Sequence, residues 1–383
     1  PRKKRRGFQP GCFAIALGLI VTFCGGMTLL SALIGAVAYA RVGDLLNEKL
    51  ANLDTYQPFQ TTFLLDRNGR ELYQIIGEGR RTRISLNEMP KYLIDATIAT
   101  EDDEFWTNIG IDVAATGVAL SSYVTGNTGA AGGSTITQQL VRNVLFDPEY
   151  RSERTATRKA EEIALAIALT TRVSKERILE LYLNEIYYGN LAYGAQAAAQ
   201  TFFNKNARDL TLPEAALLAG LPQAPRDLDP LNPDPSVQTA VYERWRLVLD
   251  LMLSEDLISV AEHDNALAMG YTLVPPEAPL NAPHFTFFAR DEFQKLMESI
   301  GYTPDSIASG GFRVFTTVDI GINEMAQAAV REQIAKLGAN NVTNGAVVVL
   351  KPITGEILAM VGSADYDNEA IDGSFNVTLG LRQ

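Results

Sequence analysis

Residues 157–173 read TRKAEEIALAIALTTRV. From Ile163 to Leu169 every position is apolar, so a helix over this stretch has no polar side and is expected to be a buried central helix. A chain that buries a whole helix is built around a helical core. Just ahead of this run stand Arg158, Lys159 and Glu162, which at 3.6 residues per turn fall within an arc of about 100° on one helix face. The three charges therefore sit at the mouth of a core helix. They read either as a polar site or as ordinary i,i+4 ion pairs, each worth only about 0.2–0.5 kcal/mol.

Outward from this segment the pattern stays helical from Ser85 to Met252. Ser85 with Glu88 and Thr211 with Glu214 are spaced as capping boxes, Pro90 and Pro213 lie near helix starts, and Gly189 after Tyr188 reads as a stop. Residues 175–189, KERILELYLNEIYYG, place Ile178, Leu179, Tyr182, Leu183 and Ile186 on one apolar face, for which core packing is the better reading. Glu180 and Asn184, four apart, can brace a site from behind. In ERWRLVLDLM, residues 243–252, Arg244 and Arg246 flank Trp245, and a structural helix is the default. Dense alanine from Ala192 to Ala219 allows close helix packing, and the proline-rich stretch from Leu221 to Pro235 reads as a surface connection.

Both flanks differ from this middle. Upstream, Phe63–Leu65 and Glu71–Ile75 enclose Asp66-Arg67-Asn68-Gly69, a hairpin turn signature. Downstream a helix pattern runs to about Met269, residues 275–283 read as a linker, Phe312–Val318 alternates as a strand, and Asn344–Val361 reads strand, turn, strand. The shift from alanine-rich helices to β-branched strands marks a second domain beginning near Gly345. The expected organisation is a basic tail over 1–11, a membrane span over 12–40, a helical domain over 60–255, a linker region over 256–344, and the start of a strand-bearing domain over 345–383.

Charge sets the compartment. Arg2, Lys3, Lys4, Arg5 and Arg6 precede an uncharged run from Cys12 to Ala40, long enough to cross a bilayer and too long for a signal-peptide core. The positive-inside rule keeps the tail in the cytoplasm and places everything after Arg41 outside, on a single-pass anchor. Pro1 is not a start residue, so a little of the N-terminus is expected to be missing. The net charge of −12 becomes more negative once the cationic tail is set aside, which excludes nucleic-acid binding by bulk electrostatics. Cys12 and Cys24 both lie in the membrane run, so no disulfide or thiolate metal site is expected outside, and His263 and His284 share no metal-ligand spacing.

Two further segments carry candidate chemistry. Glu101, Asp102, Asp103 and Glu104 stand in a row at the end of a helix starting near Pro90. Like charges and the negative end of the helix dipole disfavour ionisation, so one carboxylate is expected to hold its proton more tightly and to suit a general base. The same cluster would attract a hard divalent cation, or be a solvated acidic corner, although Phe105 and Trp106 directly after it weaken that last reading. Residues 132–143, GGSTITQQLVRN, combine glycines, hydroxyls and amides with a closing Arg142: a mobile surface loop, or a segment built to hold a polar anion.

In this order the segments resemble the five signature motifs of the peptidoglycan glycosyltransferases, family 51, of class A penicillin-binding proteins: EDDEFWTNIG from Glu101, GGSTITQQ from Gly132, RKAEE from Arg158, KERILELYLN from Lys175 and RWRLVLDLM from Arg244. The resemblance covers roughly Thr61 to Met252. It implies a mainly α, lysozyme-like domain beside the bacterial membrane that polymerises lipid II into a growing lipid-linked glycan. By this resemblance Glu101 is the base that takes the proton of the acceptor 4-hydroxyl, and the anomeric carbon of the donor is inverted as undecaprenyl pyrophosphate leaves. Glu162 assists at the donor phosphates, and Arg142, Arg158 and Lys159 neutralise them, with Mg²⁺ or Mn²⁺ near Glu101. The matching motif positions Asp102, Phe105, Asn108, Gly133, Ser134, Thr135, Gln138, Gln139, Asn184 and Arg244 complete the implied substrate-binding set.

The chain departs from the family pattern twice, with Asn108 where histidine is common and Arg142 where lysine is usual. Neither change removes an acid or the net positive charge, so activity is expected. The tail, with APHF from Ala282, GGFRVFTTVD from Gly310 and GAVVVLKPITGEILAMVGS from Gly345, resembles the linker and first strands of a penicillin-binding transpeptidase. No Ser-x-x-Lys is present, so the acylating nucleophile is not in this chain and transpeptidation is expected only of a parent protein. The alternatives are a lytic muramidase, disfavoured because a neutral glycan needs no cationic clamp, and an inactive scaffold for cell-wall synthesis proteins, disfavoured by the presence of both glutamates. Residues 110–131, rich in small side chains, are expected to be mobile and near the lipid surface.

Overall fold

Asp66 turns the chain at the first hairpin by accepting the backbone N–H groups of Asn68 and Arg70, both at 2.8 Å. The computed structural model describes residues 58–380 apart from 117–132, 154 and 276–279, together with Gly43, Ala51 and Tyr56. Strands β1 (Thr62–Leu65) and β2 (Glu71–Ile75) pair antiparallel, as the turn signature requires. A third strand, β5 (Arg313–Phe315), joins the other edge of β1 in parallel, bringing Phe63 opposite Arg313 from some 250 residues downstream. The hairpin is therefore one half of a three-stranded sheet completed from far along the chain. The alternation at 312–318 yields only this short strand, because Thr316 and Thr317 turn their hydroxyls to the carbonyls of Leu65 and Ile357.

Between these strands lie the helices that hold the site: α1 (Lys91–Glu101), α2 (Ile136–Val144), α3 (Ala156–Arg172), α4 (Lys175–Glu185), α5 (Ala195–Phe203), α6 (Leu212–Gly220), α7 (Pro235–Ser254) and α8 (Val260–Met269). Their starts are chemically marked. Ser85 with Glu88 and Thr211 with Glu214 form the capping boxes expected of them, and the sequence spacing of Thr135 and Gln138 forms another at α2. A single apolar core runs through Leu93, Phe105, Leu140, Leu165, Tyr182, Phe202, Leu218 and Trp245. Alanine between Ala192 and Ala219 lets α5 and α6 sit deep within it, with every residue but Gln200 buried.

Three expectations need correction. Helix α3 is not buried on every side: Leu165, Ala166 and Leu169 enter the core, whereas Ile163, Ala164, Ile167 and Ala168 stay half-buried. Gly189 does not end α4, which stops at Glu185; it sits in a small hairpin of β3 (Tyr187–Gly189) with β4 (Ala192–Tyr193). Residues 256–344 are largely ordered elements. Helix α8 packs Ala266 into the main core, while α9 (Pro283–Ser299) and α10 (Ile320–Leu337) cover the sheet and the β6 (Val347–Leu350) with β7 (Ile357–Val361) hairpin through Phe285, Ile320, Val330 and Val361. Among the described residues no helix is long and apolar enough to cross a membrane, and the 12–40 run lies outside them. Most of the segment expected to be mobile, residues 117–131, lies outside them too.

Candidate active site

Glu101 is the last residue of α1, and its side chain, 11% exposed, points into the space between α2 and α7. Gln139 on α2 donates from Nε2 to Glu101 Oε2 at 2.6 Å. The buried hydroxyl of Tyr182 on α4 donates to Gln139 Oε1 at 3.2 Å, so the amide is held from behind in the orientation that presents its N–H to the acid. Arg244 on α7 brings Nη2 to 4.0 Å from Glu101 Oε1, and its Nε donates to the carbonyl of Gly220 at 3.1 Å. Burial pushes the proton affinity of Glu101 up, while the Gln139 bond and the charges of Arg244 and Arg142 pull it down. Burial, rather than the neighbouring acids, is the main cause. The expectation of one proton-retentive carboxylate in this row holds with a different physical origin.

Its neighbour is shifted as well. Asp102 is pushed up to about 6 by burial, against hydrogen bonds that favour its charged form. Those bonds explain its place: Oδ1 accepts from Asn108 Nδ2 at 2.7 Å and Oδ2 from the backbone N–H of Ile136 at 3.1 Å, at the first residue of α2. Asn108 in turn accepts from Gly110 N and from Lys175 Nζ, at 2.9 and 2.8 Å. Lys175 also lies 4.6 Å above the ring of Phe105, which is fully buried. Asp102, Asn108 and Phe105 therefore brace the loop after α1. Asp103 and Glu104 are exposed.

The charge cluster of α3 is joined to Glu101 through the start of α2, where Ser134 meets Lys159 and Gln139 meets Glu101. Glu162 has no exposed surface, yet it accepts from Arg158 Nη1 at 2.7 Å and from Lys159 Nζ at 2.5 Å. Arg158 also donates from Nε to the Glu153 carbonyl at 2.6 Å, and Lys159 donates to Ser134 Oγ at 3.0 Å. These are buried, doubly anchored cations rather than surface pairs. Arg142, half-buried on α2, completes the positive side and is close enough to act electrostatically on Glu101.

The 133–142 segment joins the two sides. Gly133 takes φ +110°, and a Cβ there would meet the Cβ of Ala115 at 2.6 Å; Gly110 takes φ +97°, and a Cβ there would lie 2.5 Å from the Ala166 carbonyl oxygen. Two loops are thus pressed against each other and against α3. Ser134 and Gln139 then point to the site, one to Lys159 and one to Glu101. Thr135 and Gln138 do not. Thr135 Oγ1 donates to the Gly110 carbonyl at 2.7 Å, its N–H donates to Gln138 Oε1 at 2.9 Å, and both side chains are buried, so these residues build the start of α2. Gly132, the other glycine of the motif, lies outside the described residues.

Asn184 is likewise structural. Its amide accepts from Ile84 N at 3.0 Å and donates to Ile84 O at 2.9 Å, fastening the segment ahead of α1 to α4. Two residues that sequence reasoning left unassigned, Tyr182 and Lys175, hold the acid and its loop in place; Tyr182 was read as core, and only its hydroxyl marked it as able to do more. Among the described residues no group of three His, Cys, Asp or Glu side chains is placed to hold a metal ion. Glu101 is surrounded by an amide donor and guanidiniums and both oxygens of Asp102 are occupied, so the residues present do not fit a protein-held Mg²⁺ or Mn²⁺.

The arrangement can bind an anion on one side and accept a proton on the other. Known proteins are similar to this chain in sequence. A family model described as Transglycosylase matches residues 68–253. Penicillin-binding protein 1A of Neisseria flavescens is 36% identical over 332 residues, covering 85% of this chain and 40% of that protein. Penicillin-binding protein 1A of Vibrio cholerae is 40% identical over 278 residues, covering 71% of this chain and 32% of that protein. A crystal structure of penicillin-binding protein 1A from Haemophilus influenzae aligns with 26% identity and a TM-score of 0.39, covering 83% of this chain and 34% of that one. The chain spans about 40% or less of the length of these relatives.

Proposed function

We propose that this chain polymerises lipid II into glycan strands of the bacterial cell wall, a reading supported by the match of residues 68–253 to a Transglycosylase model and by the likeness to penicillin-binding protein 1A sequences. One observation carries the proposal: a single short segment connects a buried acid to a buried cation pair, with Gln139 bound to Glu101 and Ser134 bound to Lys159. Hydrolysis of a neutral glycan has no need of such cations. Expulsion of a pyrophosphate does.

In the proposed reaction the acceptor 4-hydroxyl lies against Glu101. Its oxygen attacks the anomeric carbon of the donor while Glu101 takes its proton; the new C–O bond forms as the bond to the pyrophosphate oxygen breaks, with inversion. Arg158 and Lys159, fixed by Glu162, and Arg142 receive the charge that accumulates on the leaving group. Burial gives Glu101 the proton affinity a general base needs, and Gln139, Arg244 and Arg142 keep it from being protonated permanently. Tyr182 fixes the Gln139 amide and so the acid that it touches.

The single-pass anchor over 12–40, an extracytoplasmic catalytic domain, contacts with other wall-synthesis proteins and a parent protein that is also a D,D-transpeptidase belong to the same proposal. It is supported by the basic tail, the uncharged run and the relatives' names. The test is direct. Detergent-solubilised protein given labelled lipid II should yield polymer that a muramidase digests, with release of undecaprenyl pyrophosphate. No polymer, or sugar fragments released from preformed glycan, would overturn the reading.

A further inference from the structure

Away from the acid and its cations, a cavity of about 370 Å³ opens between the β1–β2–β5 sheet and the helices. Arg83 reaches it from the segment before α1, Arg208 from the turn after α5, and Arg313 from β5. Three guanidiniums around one cavity are unexpected in a chain of net charge −12. Among the described residues, the side chain of none of the three makes a hydrogen bond or ion pair. The two carboxylates in the wall are engaged elsewhere: Glu71 accepts from Gln74 at 2.8 Å, and Glu88 closes the Ser85 capping box. The Ser85 hydrogen bonds hold the Glu88 carboxyl below its usual range, with Arg208 adding only a longer-range field, and Arg83 acts in the same long-range way on Glu185.

Guanidinium forks bind oxyanions bidentately, and two or more converging on one space select a multiply charged one. Gln200 and Thr82 add an amide and a hydroxyl to the wall, and the volume suits a small polar molecule. We propose that this cavity is an anion site for a phosphate group, borne either by a free phosphate compound or by a lipid headgroup. A ligand there touches the sheet through Arg313 and the helical domain through Arg83 and Arg208, so its binding ties the two together. This site is separate from the catalytic cations and stands whether or not the chain polymerises lipid II.

The test is amide hydrogen exchange on the full chain in detergent, with inorganic phosphate as the probe and calorimetry for affinity. Phosphate should bind saturably and slow exchange across residues 80–88, 204–210 and 313–315. The double variant Arg208→Gln with Arg313→Gln, both exposed positions, should weaken that binding at least tenfold and abolish the protection with an unchanged melting temperature. If the natural source is a headgroup, phosphatidylglycerol vesicles will give the same protection more strongly than free phosphate, and phosphatidylcholine vesicles will mark the background. Absence of protection in these three segments with every probe, protection confined to 133–162, or protection unchanged by the double variant would each overturn the proposal.

Discussion

Glu101 and Glu162 are the same residue type, both withdrawn from solvent, and their surroundings treat them in opposite ways. Glu162 is met by two cations at 2.5 and 2.7 Å, so its charge is compensated where it stands. Glu101 receives one amide hydrogen bond and a guanidinium no nearer than 4.0 Å, so burial outweighs its partners and its proton affinity rises. A compensated buried carboxylate is a bracket for its cations; an under-compensated one is ready to exchange a proton. In the proposed reaction, positioning and proton transfer therefore fall to different helices, α3 and α1.

The largest effects test that separation. Glu101→Gln should lower polymerisation by about a thousandfold, within the 10²–10⁴ range of general-base removal, with no loss of stability, since the variant removes a charge that burial opposes. Glu162→Gln should also abolish most turnover, but by leaving Arg158 and Lys159 buried with half their pairing. It should therefore cost about 3–5 kcal/mol in denaturant unfolding. Equal stability of both variants would erase the distinction between them.

How much of this was legible beforehand depended on how local the cause was. The 66–69 turn, the caps at Ser85 and Thr211, and the common face of Arg158, Lys159 and Glu162 follow from spacings of a few residues, and they are found as read. The capping-box spacing of Thr135 and Gln138 was present too, but the segment's hydroxyls and amides were read together as ligand groups, and their division between the start of α2 and the site follows from which of them the fold buries. Pairing of β1 with β5, and the Asn184 clasp on Ile84, join residues 250 and 100 positions apart, a separation at which no local pattern speaks. Tyr182 was legible as core and illegible as a hydrogen-bond donor for the same reason: its partner comes from another helix.

Smaller changes sharpen the account of Glu101. Gln139→Ala removes the hydrogen bond that favours the charged form, so the proton affinity of Glu101 rises further and the acidic limb of kcat/KM moves to higher pH. Loss of one bond to a charged group, about 1.5–3 kcal/mol, predicts a fall of tenfold or more at neutral pH. Tyr182→Phe leaves the amide in place but unheld; the limb should move in the same direction by less, and stability should drop by about 1 kcal/mol. A limb that shifts in Tyr182→Phe and not in Gln139→Ala would mean that the tyrosine reaches the acid by another route.

Asp102 offers the mildest test, and it is read in stability rather than rate. Its carboxyl is raised from 3.8 to about 6 by burial, so the folded chain binds its proton more tightly than the unfolded chain does. The stabilisation this supplies is fully present below the unfolded value and is lost as pH rises through about 6. Asn at this position cannot titrate. Asp102→Asn pays a constant penalty for presenting one N–H₂ to Asn108 or to the Ile136 N–H, but it escapes the pH-dependent loss. Melting temperatures from pH 4 to pH 7 should therefore show the gap between wild type and variant narrowing as pH rises. A constant gap would mean that Asp102 stays charged across that range, held by the two donors in spite of its burial, and that Glu101 alone among these acids is set apart by its surroundings.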